Sequence, residues 1–381
     1  MKGMTLKTFL IKLYMDFVAW FKSTLTFDRA WREPFNRAFA ASQRGDWHQA
    51  IAEYSEAIRI NPHLTEAYFN RALCHSKKKD WENAVTDCTE VLRLKPNHVK
   101  AIHWRGVTYR CRGKYQEALA DFDKVLELNP NDARAFYDRG VTHRLISELP
   151  KALEDFTNAI QLELNAFPER GFVHARLGNL DLAFSDLTEA IRRQPEKAEY
   201  YEYRSWVSYK QSDLEAAILD LGEVIRLEPS TASHYAKRAF HHHAKGNFTE
   251  AIADGRQAVA LDEKCVNAHN GLAWILATCP EDDKRDGRKA VGHALQAVEL
   301  AEGKNLAYIG TLAAAYAEAG NFEEAVKWAK KFLDSDPPNE NIEPARLRLA
   351  LYEQGKAYRE EKGKLETVRP RIHDSTTSAR A

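Results

Sequence analysis

Residues 99–130 read VKAIHWRGVTYRCRGKYQEALADFDKVLELNP, and the way this stretch recurs decides the fold. Gly106, Tyr109, Gly113, Ala118, Phe122 and Pro130 are its marks, and a shift of 34 residues brings them back. Pro62, Pro96 and Pro130 are 34 apart, as are Ala50, Ala84, Ala118 and Ala152. A fixed period of this size is the signature of a stacked repeat array. Such an array is one quasi-linear domain, so 381 residues need not divide into several globular cores.

Nine units follow from the period: 31–64, 65–98, 99–132, 133–163, 164–197, 198–231, 232–265, 266–305 and 306–339. With the first residue of each unit as position 1, position 20 is always Ala: Ala50, Ala84, Ala118, Ala152, Ala183, Ala217, Ala251, Ala290 and Ala325. Position 8 is always Ala, Gly or Ser, from Ala38 and Gly106 to Ser205 and Ala313. Small residues twelve apart fit a hairpin of two helices whose backbones cross closely. Gly45, Gly113, Gly178, Gly246 and Gly320 share position 15, where a left-handed residue would end the first helix. Asp46, Asn179, Asp213, Asn247 and Asn321 come next and suit the N-cap of the second helix. Prolines at 62, 96, 130, 195, 229 and 337 stop that helix.

These residues closely resemble the tetratricopeptide repeat (TPR) family, whose motif places a small residue, an aromatic, an alanine, a second aromatic and a proline at these offsets. The resemblance covers 31–339. It implies an all-α solenoid of about nine helix-turn-helix repeats, coiled into a right-handed superhelix with a concave ligand-binding face. The pair of units at 266–339 looks like a C-terminal pair common in bacterial repeat proteins. Two departures stand out. Unit 4 is three residues short, and Pro168 predicts a late start for the next helix. Unit 8 carries a polar insertion around Pro280–Gly287, read as a projecting loop.

The ends do not match the repeat. Leu6, Phe9, Leu10, Leu13, Tyr14, Phe17 and Phe21 describe an amphipathic helix within 1–30. Lys7, Lys12, Asp16 and Lys22 break it up too often for a membrane span or a signal peptide. It either caps the first repeat or lays its apolar face on a membrane surface through residues 1–27. Residues 340–362 read as a C-terminal capping helix, and 363–381 as a disordered tail.

Lys plus Arg and Asp plus Glu number 55 each, so the net charge is zero. That argues against nucleic acid as a partner. The five cysteines, Cys74, Cys88, Cys111, Cys265 and Cys279, show neither a disulfide framework nor a zinc spacing, and they fit a reducing, cytoplasmic setting. No phosphate loop or hydrolase motif appears, so the reading is a non-enzyme without cofactor.

Aligned with itself, the chain has Arg at position 7 of the first seven units and an acid at position 23. The pairs are Arg37 with Glu53, Arg71 with Asp87, Arg105 with Asp121, Arg139 with Asp155, Arg170 with Asp186, Arg204 with Asp220, and Arg238 with Asp254. Both positions change together in the last two units, to Leu272 with His293 and Leu312 with Trp328. The joint switch predicts seven structural ion pairs. His241, His242 and His243 are consecutive, so on a helix they point about 100° apart and cannot share a metal ion. Position 11, usually Tyr in this family, is His at His75, His143, His174 and His242; these read as packing or capping residues.

The resemblance assigns positions 2, 5, 9 and 12 to the concave face. Units 3 and 4 place Lys100, His103, Arg110, Arg134, Tyr137 and Arg144 there. Neighbouring units add Phe35, Phe39, Phe69, Phe172, Trp206, Tyr209, Phe240 and Trp274. Cations beside aromatic rings suit an extended peptide bearing carboxylates. The family's clamp for chaperone C-terminal carboxylates is matched at Asn70 and Lys100 alone among its five positions. The sequence thus points to a scaffold that binds a protein or peptide, with a peripheral membrane adaptor anchored by residues 1–27 as the alternative.

Overall fold

The computed structural model describes residues 30–335 and 337–361, together with Met15. The helix expected within 1–30 and the tail expected at 363–381 therefore lie outside the described residues. Among the described residues there are nineteen α-helices, one short 3-10 turn and no strand. The fold is an all-α solenoid. The chain divides into two compact units, Met1–Glu169 and Arg170–Ala381.

In the first unit, α1 (Arg32–Gln43), α3 (Thr65–Lys77), α5 (Val99–Cys111) and α7 (Ala133–Leu145) are the first helices of repeats 1 to 4. Their partners are α2 (Trp47–Ile60), α4 (Trp81–Leu94), α6 (Tyr115–Leu128) and α8 (Leu149–Gln161). Helix α9 (Phe167–Arg176) starts three residues later in its repeat than α5 or α7 does, with Pro168 in its first turn. Proline is tolerated there because the missing N–H would have no intrahelical partner anyway.

In the second unit, α10 (Leu180–Arg193) completes repeat 5. The remaining hairpins are α11 (Ala198–Lys210) with α12 (Leu214–Leu227), α13 (Ala232–Lys245) with α14 (Phe248–Leu261), α15 (Val266–Thr278) with α16 (Gly287–Leu300), and α17 (Leu306–Glu318) with α18 (Phe322–Asp334). Helix α19 (Asn339–Glu353) follows. Within each unit, a second helix packs both on its own partner and on the first helix of the next repeat.

The hairpin geometry comes from the small residues. All nine alanines at position 20 are fully buried. A Cβ added at Gly106 would stand 2.9 Å from the Phe122 ring, and one at Gly140 would stand 3.0 Å from Phe156. At the same position in repeat 6, Ser205 Oγ donates to Ala217 O at 2.9 Å across the crossing. Asp46, Asp80, Asp213 and Asn321 accept the backbone N–H three residues on and so cap the second helices.

Position 15 is left-handed in eight of the nine repeats. Glycine occupies five of these, but Lys79, Ser147 and Ser212 adopt φ of 59°, 63° and 64° at the others. The hairpin imposes this conformation whether or not the residue favours it.

Two expectations need correction. The capping helix does not run through 340–362: it stops at Glu353, Gly355 turns the chain at φ 69°, and 356–361 contains no helix. Nor does the insertion of repeat 8 simply project. Arg285 is drawn in to Cys279 O (2.7 Å), Glu318 (3.1 Å) and Asp282. Beside it, a Cβ on Gly287 would fall 2.5 Å from the Ala319 backbone nitrogen, so the loop returns hard against α17.

Candidate functional site

The cationic positions of repeats 3 and 4 converge on a carboxylate that the repeat pattern does not single out. Asp138, at position 6 of repeat 4, is 4% exposed. One oxygen lies 2.8 Å from His103 Nε2, and the other accepts from an Arg110 terminal nitrogen at 3.1 Å. Arg134, one helical turn earlier on α7, approaches to 3.5 Å with a side chain 69% exposed. Desolvating a carboxylate is costly unless cations and donors surround it, and here they come from two adjacent helices. Two arginines and an imidazole thus face the Asp138 carboxylate, and Arg134 is the exposed member of the set. Arg110 Nε is buried without a hydrogen-bond partner among the described residues. Lys100, on the outer turn of α5, is exposed, and Arg144 is half-buried.

Tyr137, on the same helix face, donates its hydroxyl to Glu169 at 2.7 Å. Burial, then the nearby Glu169 charge, push its hydroxyl pKa upward, so it remains a neutral donor. A rule linking neighbouring repeats emerges from these contacts. Position 5 of one repeat meets position 6 of the next: His103 with Asp138, Tyr137 with Glu169, and Glu202 with Lys237. The residue types differ each time, which is why a search for a repeated motif passes over the pairing. An acid at position 6 opposite a basic position 5 was the available signal.

The aromatic residues do not line up as one open ladder. Phe172 packs edge-on to Tyr203, Tyr209 to Phe240, and Phe69 against His98. Trp206 carries the Lys210 ammonium 5.5 Å from its ring centroid. Phe35 packs on Tyr54 and Trp31, whereas Phe39 is half exposed. Trp274 is buried.

Behind these groups stand the repeated ion pairs. Arg71, Arg105, Arg139, Arg170, Arg204 and Arg238 each grip the Asp sixteen residues on, with closest distances of 2.6–2.7 Å. Arg37 holds Glu53 at 2.8 Å in a more exposed setting. Arg71, Arg139 and Arg204 also reach back one repeat, to Ser55 (2.8 Å), Asp123 (2.6 Å) and Thr188 (3.1 Å) respectively. The pair therefore ties hairpins to each other as well as closing each one. Burial raises the pKa of Asp155 and Asp220 despite their arginines. In repeats 8 and 9 position 7 is instead a buried leucine, Leu272 or Leu312, and His293 at position 23 of repeat 8 lies 3.0 Å from the His269 ring nitrogen.

The three consecutive histidines have three separate surroundings. His241 is buried against Tyr209 and Phe240, and desolvation lowers its pKa to about 4. His242 faces the Asn247 amide at 3.4 Å, and His243 lies 2.9 Å from a Glu360 oxygen. At the shared position 11, His75 and His143 pair with Asp80 (2.9 Å) and Glu148 (2.7 Å), which precede the next helix. Among the described residues no group of three His, Cys, Asp or Glu side chains could hold a metal ion, and no helix is long and apolar enough to cross a membrane.

Models of the tetratricopeptide repeat match residues 65–98, 99–132, 170–232 and 307–339, and a TPR repeat model matches 42–79. No curated protein sequence matches the chain. Among solved structures, a tetratricopeptide repeat protein from Parabacteroides merdae ATCC 43184 is similar, at 20% identity and a TM-score of 0.49, over 61% of this chain and 94% of that one. YrrB, described as a TPR protein with an unusual peptide-binding site, shows 19% identity and a TM-score of 0.43, over 48% and 95% of the two chains. Yeast Tom70 shows 16% identity and a TM-score of 0.41, over 86% and 89%. With its repeat-by-repeat matches and its stacked helical hairpins, the chain belongs to the tetratricopeptide repeat family.

Proposed function

We propose that the protein is a non-enzymatic interaction scaffold that holds an extended, acidic peptide of a partner protein on the inner face of repeats 3 and 4. The carrying observation is the charge imbalance around Asp138. Two arginines and a histidine share one buried carboxylate, with Lys100 exposed on the neighbouring turn. A carboxylate-bearing segment would bring the missing negative charge. Arg134 and Lys100 would contact it directly, while His103 and Arg110, fixed by Asp138, would set the local potential.

The geometry also selects the test. Reversing Arg110 would place a second acid against buried Asp138 and so damage the hairpin itself. Lys100→Glu with Arg134→Glu changes exposed charges instead. With a panel of fluorescein-labelled acidic and basic peptides as probes, the double variant is expected to lose at least tenfold affinity for the acidic ones, with unchanged helical circular dichroism. Equal affinities for acidic and basic probes in the wild type would refute the reading.

A further inference from the structure

Residues 356–361 leave the turn at Gly355 without forming a helix and run back along the first helices of repeats 7, 8 and 9. Contacts come from all three. Glu360, 3% exposed, accepts the Trp274 indole N–H at 2.6 Å, and its second oxygen lies 2.9 Å from His243 Nε2. Its own amide donates to Thr278 O at 2.9 Å. Two residues earlier, the Tyr358 ring lies beside Trp274, and the buried Arg348 guanidinium sits 5.7 Å from both ring centroids. Arg359 points the other way and pairs with Glu318 at 2.6 Å.

This is the chemistry of a bound extended peptide. In an extended chain, residues i and i+2 share one face, so Tyr358 and Glu360 enter the array together while Arg359 stays at its edge. Trp274 and His243 occupy positions 9 and 12 of their repeats, where the family resemblance places the concave surface. A buried indole N–H needs an acceptor, and a buried carboxylate needs donors; each is satisfied here by the other. If the segment left, it would expose an apolar ring slot with a donor pair set to receive a carboxylate.

We propose that the inner face of repeats 7 to 9 is a second peptide site, distinct from the cationic face of repeats 3 and 4. Its ligand class is an extended segment of a partner protein carrying an aromatic ring two residues before a carboxylate. The chain's own Tyr358–Glu360 is the resident occupant. Because a short tether holds it at an effective concentration in the millimolar range, a competing segment gains entry mainly when the resident contacts are weakened.

The test uses the full-length chain and a fluorescein-labelled peptide of residues 354–361, read by fluorescence anisotropy. Tyr358→Ala with Glu360→Ala is expected to bind the peptide at least tenfold more tightly than the wild type. Adding Trp274→Phe to that variant is expected to remove at least tenfold of the gain. Equal affinity of wild type and double variant overturns the proposal, and so does a Trp274→Phe change without effect. Should the double variant lose helix in repeats 8 and 9 by hydrogen exchange, Glu360→Gln takes its place, since it keeps an oxygen for Trp274. A gain of threefold or more over the wild type then supports the proposal, and an unchanged affinity overturns it.

Discussion

Repeats 3 and 4 and repeats 7 to 9 each bury a carboxylate among donors on first helices, but they obtain it differently. In repeats 3 and 4 the anion is Asp138, an integral residue of α7, and the cations around it outnumber it. In repeats 7 to 9 the anion is Glu360, delivered from outside the repeats by a segment that follows the last helix. A carboxylate fixed in a helix organises the cations around it. One carried on an extended segment satisfies its donors and covers them. The same helical scaffold thus buries a carboxylate of its own in one region and one supplied by a following segment in another.

The sharpest way to break this contrast is to remove the integral acid. Asp138→Ala leaves His103, Arg110 and Arg134 around an uncompensated site, and we expect a loss of about 3–4 kcal/mol, the cost typical of breaking a buried ion pair. Urea unfolding should show it, with hydrogen exchange accelerating in α5 and α7. A loss below about 1 kcal/mol would mean that the cluster is more solvated than its burial indicates.

A second test concerns the ion pair of repeat 7, where the Arg–Asp ladder gives way to leucine. Asp254→Ala alone is expected to cost about 3 kcal/mol, because it strands Arg238. Arg238→Leu with Asp254→Leu removes both charges together and should cost under about 1 kcal/mol in the same assay. If the double change proved worse than the single one, the ladder would be stabilising beyond its pairwise charge.

pH separates the regions further through His241. Its folded pKa of about 4 lies below the ordinary 6.5 because burial disfavours the imidazolium. The unfolded chain therefore binds the proton more readily, and stability from this group is present above pH 6.5 and is lost as pH falls towards 4. Between pH 7 and pH 5 we expect about 2 kcal/mol of destabilisation from this residue. A His241→Phe variant, compared with the wild type by urea titration at both values, should lack that share of the drop.

The smallest effect is local. Ser147 holds a left-handed backbone at the hairpin turn of repeat 4, so Ser147→Gly should stabilise by about 1 kcal/mol. The thermal midpoint should rise slightly, and an unchanged or lower value would show that the serine side chain compensates for its backbone.

Much of this protein was legible without coordinates. The 34-residue period predicts the hairpins, and position 20 is small because two backbones cross there. The joint change at positions 7 and 23 reports contact between them because a charge and its partner must be lost together. All of these are short-range or repeated relations, and repetition lets the chain serve as its own alignment. Asp138 escaped because position 6 has no constant residue type from repeat to repeat, and its meaning depends on position 5 of the repeat before. The left-handed turns at Lys79, Ser147 and Ser212 escaped because hairpin closure overrides residue preference. Glu360 was beyond reach for a different reason. It lies 86 residues from Trp274 and 117 from His243, outside any period, so only the tertiary fold brings that carboxylate to its donors. Sequence settled the hairpin and its stacking, because those follow from local spacing; tertiary structure decided which buried charge meets which partner, because that depends on surfaces assembled from separate helices.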